Sequence, residues 1–199
     1  MLYATAFWAV ALLALAVLLP RAARVGMAGD YVDPVSRITA QDEALYPHSA
    51  IVMSRNGNWL TPQFLRRLAL YKPPLLVWAA AASARLAGIT RFTLRFPVVI
   101  FAALAAGLIF LWGAEAAGIT AGACAALLVT GNHLFHTLTT LCMTDALLSA
   151  FTIAAVYFIY ADPWPESRAA LWGFAASSAA AILTKGIAGL FPLGILGLY

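Results

Sequence analysis

Two acidic positions and three basic ones stand out in a chain otherwise poor in charge. Asp42 is followed directly by Glu43, and Asp145 is the sole acid between Glu115 and Asp162. Lys72 lies in Tyr71-Lys72-Pro73-Pro74, Arg95 in Arg95-Phe96-Pro97 and Lys185 in Thr184-Lys185-Gly186. A carboxylate at a lipid–water boundary can take a proton from an incoming hydroxyl, which is the task of a general base. Two carboxylates converging on one site can orient an acceptor, share a proton or hold a divalent ion, and these three stay open. Lys72 can hold a phosphate as a point charge, with Arg66, Arg67, Arg91 and Arg95 raising the local potential. Each position also has a plainer reading. Asp42-Glu43 and Asp145 suit helix starts, Lys72 can reach from an interfacial helix to water, and Lys185 can anchor a helix end.

Other chemistries find no support. His48, His133 and His136 lack the spacing of a zinc site, and there is no phosphate loop of the Walker type and no Ser–His–Asp pattern. The basic stretch contains no nucleic-acid module, and its prolines and aromatics favour lipid phosphate over DNA. Cys124 and Cys142 read as small apolar residues.

The elements that position these residues must sit in lipid. Of 199 residues 63% are hydrophobic and only 10% charged, against roughly 25% charged in a soluble domain. Ala116 to Thr144 contains no charged side chain. Leu2 to Leu19 is an uncharged run of 18 residues, long enough for a helix across a hydrocarbon core of about 30 Å. Its apolar length and the lack of a basic flank before it predict an uncleaved anchor rather than a signal peptide. Further apolar runs cover Phe96 to Ala114, Ile119 to about His136, Ala146 to Ala161, Ala169 to Thr184 and Gly186 to Tyr199. The last, 14 residues long, is short for a span, which fits a tilt into a thin region or a polypeptide that is the front part of something larger. The expected organisation is a first transmembrane helix over 1–20, a polar loop over 21–95, and transmembrane helices two to six over 96–199.

That loop holds ten of the twelve Lys and Arg. Gln41 to Arg55 predicts a helix with one greasy face of Ala44, Leu45, Ile51 and Val52, and Asn56-Gly57-Asn58 predicts a turn. Leu75 to Ala84 is apolar but short, and the prolines before it suit a helix start. It is expected to lie in the interface, with Trp78 near the headgroups, rather than to cross. Parity then has a consequence: Asp42, Lys72, Asp145 and Lys185 fall on one side of the membrane. The positive-inside rule exempts loops longer than about 60 residues, and the loop is expected outside.

With these residues placed, the chain resembles the membrane glycosyltransferases of the GT-C class that use polyprenyl-phosphate-linked sugars, in particular the bacterial branch related to protein O-mannosyltransferases and the aminoarabinose transferase of lipid A. The resemblance rests on Asp42-Glu43 with Tyr46, Gly57-Asn58-Trp59-Leu60-Thr61-Pro62, Lys72-Pro73-Pro74-Leu75, Arg95-Phe96-Pro97, Thr144-Asp145 and Thr184-Lys185-Gly186, in that order. It implies an all-α, multi-span helical bundle of GT-C type whose first external loop carries interfacial helices. It further implies Asp42 as catalytic base or acceptor-orienting acid and Asp145 as its partner, with Glu43 and Tyr46 supporting. Lys72, Arg95 and Lys185 would bind donor phosphate. The implied partners are a polyprenyl-phosphate-sugar donor, a lipid or protein glycan acceptor and membrane lipid, with no nucleic acid. No cofactor is implied beyond a divalent metal that the paired acids leave open. The implied reaction inverts the sugar on the extracytoplasmic face of a bacterial plasma membrane. Tyr71 stands where the aminoarabinose branch has an acid, and family members run to several hundred residues.

Two other classes make different demands. A transporter would use Asp145 and Lys185 as intramembrane charges and predicts an inverted repeat, which the spans do not show. A non-catalytic remnant or accessory protein would bind anionic headgroups through its basic loop, indifferent to Asp42 and Asp145.

Overall fold

The computed structural model describes residues 2–24, 41–70, 72–163 and 166–198. The first helix, α1 (Leu2–Arg24), runs past Pro20, where the sequence suggests an end. Its inward face is Ala11, Ala14, Leu18 and Ala22, spaced at three and four residues, and all four are buried. Trp8, Leu12, Leu13 and Val17 face outward, as expected of a helix whose solvent is lipid. Ala14 packs on Ala103 and Ala106, and Leu18 and Ala22 pack on Val99 and Ala102. Those partners belong to α4 (Arg91–Ala117), and small side chains let the two backbones approach closely.

Helix α4 is the centre of the bundle, touching α1 on one side and later helices on the others. It begins at Arg91, earlier than the expected Phe96, because Thr90 and Thr93 form a reciprocal cap. Arg95 is therefore a second-turn residue facing inward and not the last residue of a loop.

The apolar run from Ile119 returns in two pieces, α5 (Ile119–Thr130) and α6 (His133–Thr139). Asn132 breaks it, since its side-chain oxygen accepts from the Leu134 and Phe135 amides. Twelve residues reach only about 18 Å at 1.5 Å per residue, and α6 completes the return: Phe135 packs on Leu18, Ala22 and Val99. Close passage of α5 over α4 needs Gly122, where an added Cβ would stand 2.8 Å from the Ala114 nitrogen and would strike the Phe110 carbonyl. Gly122→Val is expected to destabilise the protein by about 1–3 kcal/mol through overpacking. Gly194→Ala, with nothing within 4 Å, is expected to be neutral. Thermal melting in detergent checks both.

Helices α7 (Thr144–Ala161) and α8 (Arg168–Lys185) pack together, and α8 leads through a 3-10 turn (Gly186–Leu190) into α9 (Phe191–Leu198). Among the described residues, four helical stretches are long and apolar enough to cross a membrane: Tyr3–Ala23, Arg91–Ala117, Thr144–Ala161 and Arg168–Leu198. The last is not straight. Gly186 takes a φ of 59°, Gly189 sits against Ala181 and Ile182, and Leu196 lines one cavity with Phe158, Ala170 and Leu171. The chain folds back along α7 and α8, so the two apolar runs expected on either side of Lys185 lie side by side.

Between α1 and α4 lie α2 (Gln41–Asn56), a small antiparallel hairpin of β1 (Gln63–Phe64) and β2 (Arg67–Leu68), and α3 (Leu75–Ala87). The expected turn at Asn56 to Asn58 forms, with Gly57 at φ 72° and the Asn58 amide on Asn56 Oδ1. The single greasy face expected for α2 is corrected: Glu43, Ala44, Tyr46, His48, Ser49, Ala50, Ile51 and Met53 are all buried. An amphipathic surface helix would alternate; this one is enclosed because α3, β1 and the α7 entrance cover it. Helix α3 starts directly after Pro74, and its 13 residues give about 20 Å, too short to cross. Leu76, Val77, Ala80, Ala81 and Ala84 pack it into the main core. Trp78, half-buried, donates its indole N–H to the Trp59 carbonyl at 2.6 Å.

Candidate active site

All the candidate residues whose side chains are described lie at one end of the bundle. The most enclosed are Glu43 and Arg95, each with a side-chain exposure of 1%. Arg95 donates through Nε to Glu43 Oε1 at 2.6 Å and through Nη2 to Oε2 at 2.8 Å. Its Nη1 donates to the Ala22 carbonyl at 3.2 Å. The Cys142 amide donates to the same Glu43 Oε1 at 2.9 Å. A charge taken out of water needs such partners, because a bare guanidinium or carboxylate in an apolar interior is very costly. Arg95, expected as a phosphate contact, is 1% exposed and donates to Glu43 and to the Ala22 carbonyl.

Two residues after Cys142, α7 begins, and Asp145 sits in its first turn. Lys185 closes the last turn of α8. The positive N-terminal end of one helix dipole carries the acid and the negative C-terminal end of the other carries the base, which favours both. They meet with Lys185 Nζ 2.7 Å from Asp145 Oδ1, at side-chain exposures of 29% and 33%. This pair is open to the outside, unlike that of Glu43 and Arg95.

Tyr46, on α2, links this pair to the next element. Its phenol lies beside the Thr144 side chain and feels Asp145 and Lys185. It also lines a narrow cleft with Ser49, Lys72, Pro73 and Val77. Pro73 lies close to Gly186, whose added Cβ would be 3.8 Å from Pro73 Cγ. Lys72 and the Asp145–Lys185 pair thus flank Tyr46. Lys72 is exposed, as are Arg66 and Arg67. Burial raises the Tyr46 phenol above 10.0 and raises the Cys142 thiol well above its ordinary range, so both stay neutral.

The sign of the Tyr46 effect on stability follows. Its folded value lies above its unfolded one, so its contribution is complete below pH 10.0 and declines as pH rises toward the folded value. Tyr46→Phe is expected to cost about 0.5–1.5 kcal/mol at neutral pH through loss of the interaction of its hydroxyl with Thr144. Above pH 10.0 its melting temperature should fall less steeply than that of the wild type. Melting curves of the two proteins across pH check this.

Asp42 occupies the second position of α2, one residue before Glu43; its side chain and the whole of Tyr71 lie outside the described residues. Thr144, Ser49 and the backbone groups of Ala22 and Cys142 were not assigned from sequence. Thr144 adjoins Asp145 in its motif and so was within reach, whereas backbone partners leave no sequence signal. Among the described residues no three His, Cys, Asp or Glu side chains gather as a metal site. Lys185 supplies the cation beside Asp145.

An all-helical bundle with a loop-borne helix pair capping one end, and carboxylates and lysines gathered there, is the GT-C membrane fold. The chain belongs to the dolichyl-phosphate-mannose-protein mannosyltransferase family, whose profile matches residues 71–199. It superposes on the crystal structure of ArnT from Cupriavidus metallidurans bound to undecaprenyl phosphate with a TM-score of 0.77 and 20% identity, covering 98% of this chain and 35% of that one. The apo form of the same ArnT matches with a TM-score of 0.77 at 22% identity, covering 99% of this chain and 35% of that one. An uncharacterized protein of Aquifex aeolicus (strain VF5) is 24% identical over 160 residues, which is 79% of this chain and 32% of that protein. The chain thus spans about a third of the length of these relatives. It is a multi-pass membrane protein of a glycosyltransferase family.

Proposed function

We propose that this chain carries the donor and base end of an enzyme that moves a sugar from a polyprenyl-phosphate-linked donor to an acceptor hydroxyl on the extracytoplasmic face of a bacterial plasma membrane. The observation that carries the reading is the juxtaposition of the Asp145–Lys185 pair, 2.7 Å apart, with Tyr46 and the cleft that Lys72 lines. The undecaprenyl phosphate bound to ArnT supports a donor of that lipid class.

In this reading the acceptor oxygen attacks the anomeric carbon as the bond from that carbon to the phosphate oxygen breaks. The bonding electrons leave with the lipid phosphate, and the acceptor proton passes to a carboxylate. Asp42 is the base, and Asp145 orients the acceptor. Lys72 and Lys185 stabilise the growing phosphate charge. Attack opposite the leaving group inverts the anomeric centre. Arg95, spent on Glu43, takes no part in phosphate binding. Glu43 and Tyr46 support the site from behind.

The test is transfer of radiolabel from a panel of polyprenyl-phosphate pentoses and hexoses, in membranes expressing the complete reading frame, with wild type beside Asp42→Asn. Transfer by the wild type that is lost in the variant is the expected result. Equal transfer by both removes Asp42 from the chemistry, and none by the wild type with any donor overturns the reading.

A further inference from the structure

We infer that Glu43 and Arg95 are a positioning pair that sets the separation of the two carboxylates, Asp42 and Asp145, without either touching substrate. The inference rests on the glycosyltransferase reading above. Glu43 follows Asp42 in the first turn of α2. Cys142, whose amide Glu43 holds at 2.9 Å, precedes Asp145 by three residues. One carboxylate oxygen, Oε1, thereby ties the chain beside Asp42 to the chain that leads into Asp145. Arg95 fixes that carboxylate through both of its oxygens at 2.6 and 2.8 Å and anchors itself on Ala22 near the end of α1.

A bidentate guanidinium–carboxylate pair is planar, which sets the orientation of the carboxylate as well as its distance. With exposures of 1% on both sides, no solvent competes for these bonds. Packed apolar side chains serve stability as well as a buried ion pair, often better. They cannot accept the Cys142 amide or donate to the Ala22 carbonyl. What the pair supplies beyond stability is therefore a fixed geometry between segments 99 residues apart.

The test compares wild type, Glu43→Asp and the double variant Glu43→Leu/Arg95→Met, each in the complete reading frame with Cys124→Ser. Melting temperature, kcat and KM for the polyprenyl-phosphate sugar, and maleimide labelling of Cys142 in the folded, solubilised protein are measured. Glu43→Asp withdraws the carboxylate by about one C–C bond, roughly 1.5 Å. Its kcat is expected to fall about a hundredfold, with KM for the donor unchanged. The double variant is expected to melt close to wild type yet keep the low kcat, and its Cys142, protected in the wild type, is expected to label.

A double variant that recovers both melting temperature and kcat overturns the inference, since the pair would then serve stability alone. Cys142 that stays protected in the double variant overturns it too, because something else would then hold the loop before Asp145. If the wild type transfers no sugar, the glycosyltransferase reading fails by itself, and Cys142 labelling alone decides whether the pair holds that loop.

Discussion

Asp145→Asn is expected to lower sugar transfer by about 10²-fold, the scale on which a misplaced reactant acts, while leaving the fold in place. Asparagine keeps the size of the side chain and an oxygen that can accept from Lys185 Nζ, now 2.7 Å away. What disappears is the negative charge facing the acceptor and balancing Lys185. The pair is about a third exposed on each side, so its loss costs little stability, about 0–1 kcal/mol. Initial rates with a polyprenyl-phosphate sugar, set beside melting curves, separate the two effects. A variant that melts like the wild type and transfers at the wild-type rate removes Asp145 from the site. The accessory-protein reading predicts that harmless outcome.

Arg95→Met is expected to have the largest effect on stability, about 3–5 kcal/mol, because it leaves the Glu43 carboxylate buried without its cation. The Cys142 amide alone cannot replace the two guanidinium bonds at 2.6 and 2.8 Å. Lys185→Met is the contrast. It also removes a cation from a carboxylate, but Asp145 is 33% exposed and water can solvate it, so the expected loss is within about 1 kcal/mol. Thermal unfolding of both variants in one detergent tests the difference. Equal losses would mean that burial does not distinguish the two pairs.

Much of the site was legible because charge is so scarce in this chain. With only 10% charged residues, an acid at a helix start or a lysine between apolar runs has few bland uses. Parity put Asp42, Lys72, Asp145 and Lys185 on one side of the membrane, and in the structure Asp145 meets Lys185 with Tyr46 between them and Lys72. The limits are equally specific. Arg95 looked like one more cation in a basic stretch, because sequence shows a charge and not its partner. Helix α2 was expected to float on one apolar face, because Glu43, His48 and Ser49 read as polar. Each is buried because another element covers it.

From the sequence follow the membrane class, the shortness of α3, its start after two prolines, the turn at Gly57 and the run of motifs that names the family. These are local properties: run length against bilayer thickness, proline and glycine geometry, and the cost of charge in lipid. The tertiary structure decided which charge met which. Glu43 and Arg95 are 52 residues apart and Asp145 and Lys185 are 40 apart. Nothing local distinguishes these pairings from their alternatives. Packing of α1, α2 and α4 closed water away from the first pair and left the second at the open end of α7 and α8. Burial separates the enclosed Glu43–Arg95 pair from the open Asp145–Lys185 pair, since the strength of a charge pair depends on the solvent it has lost.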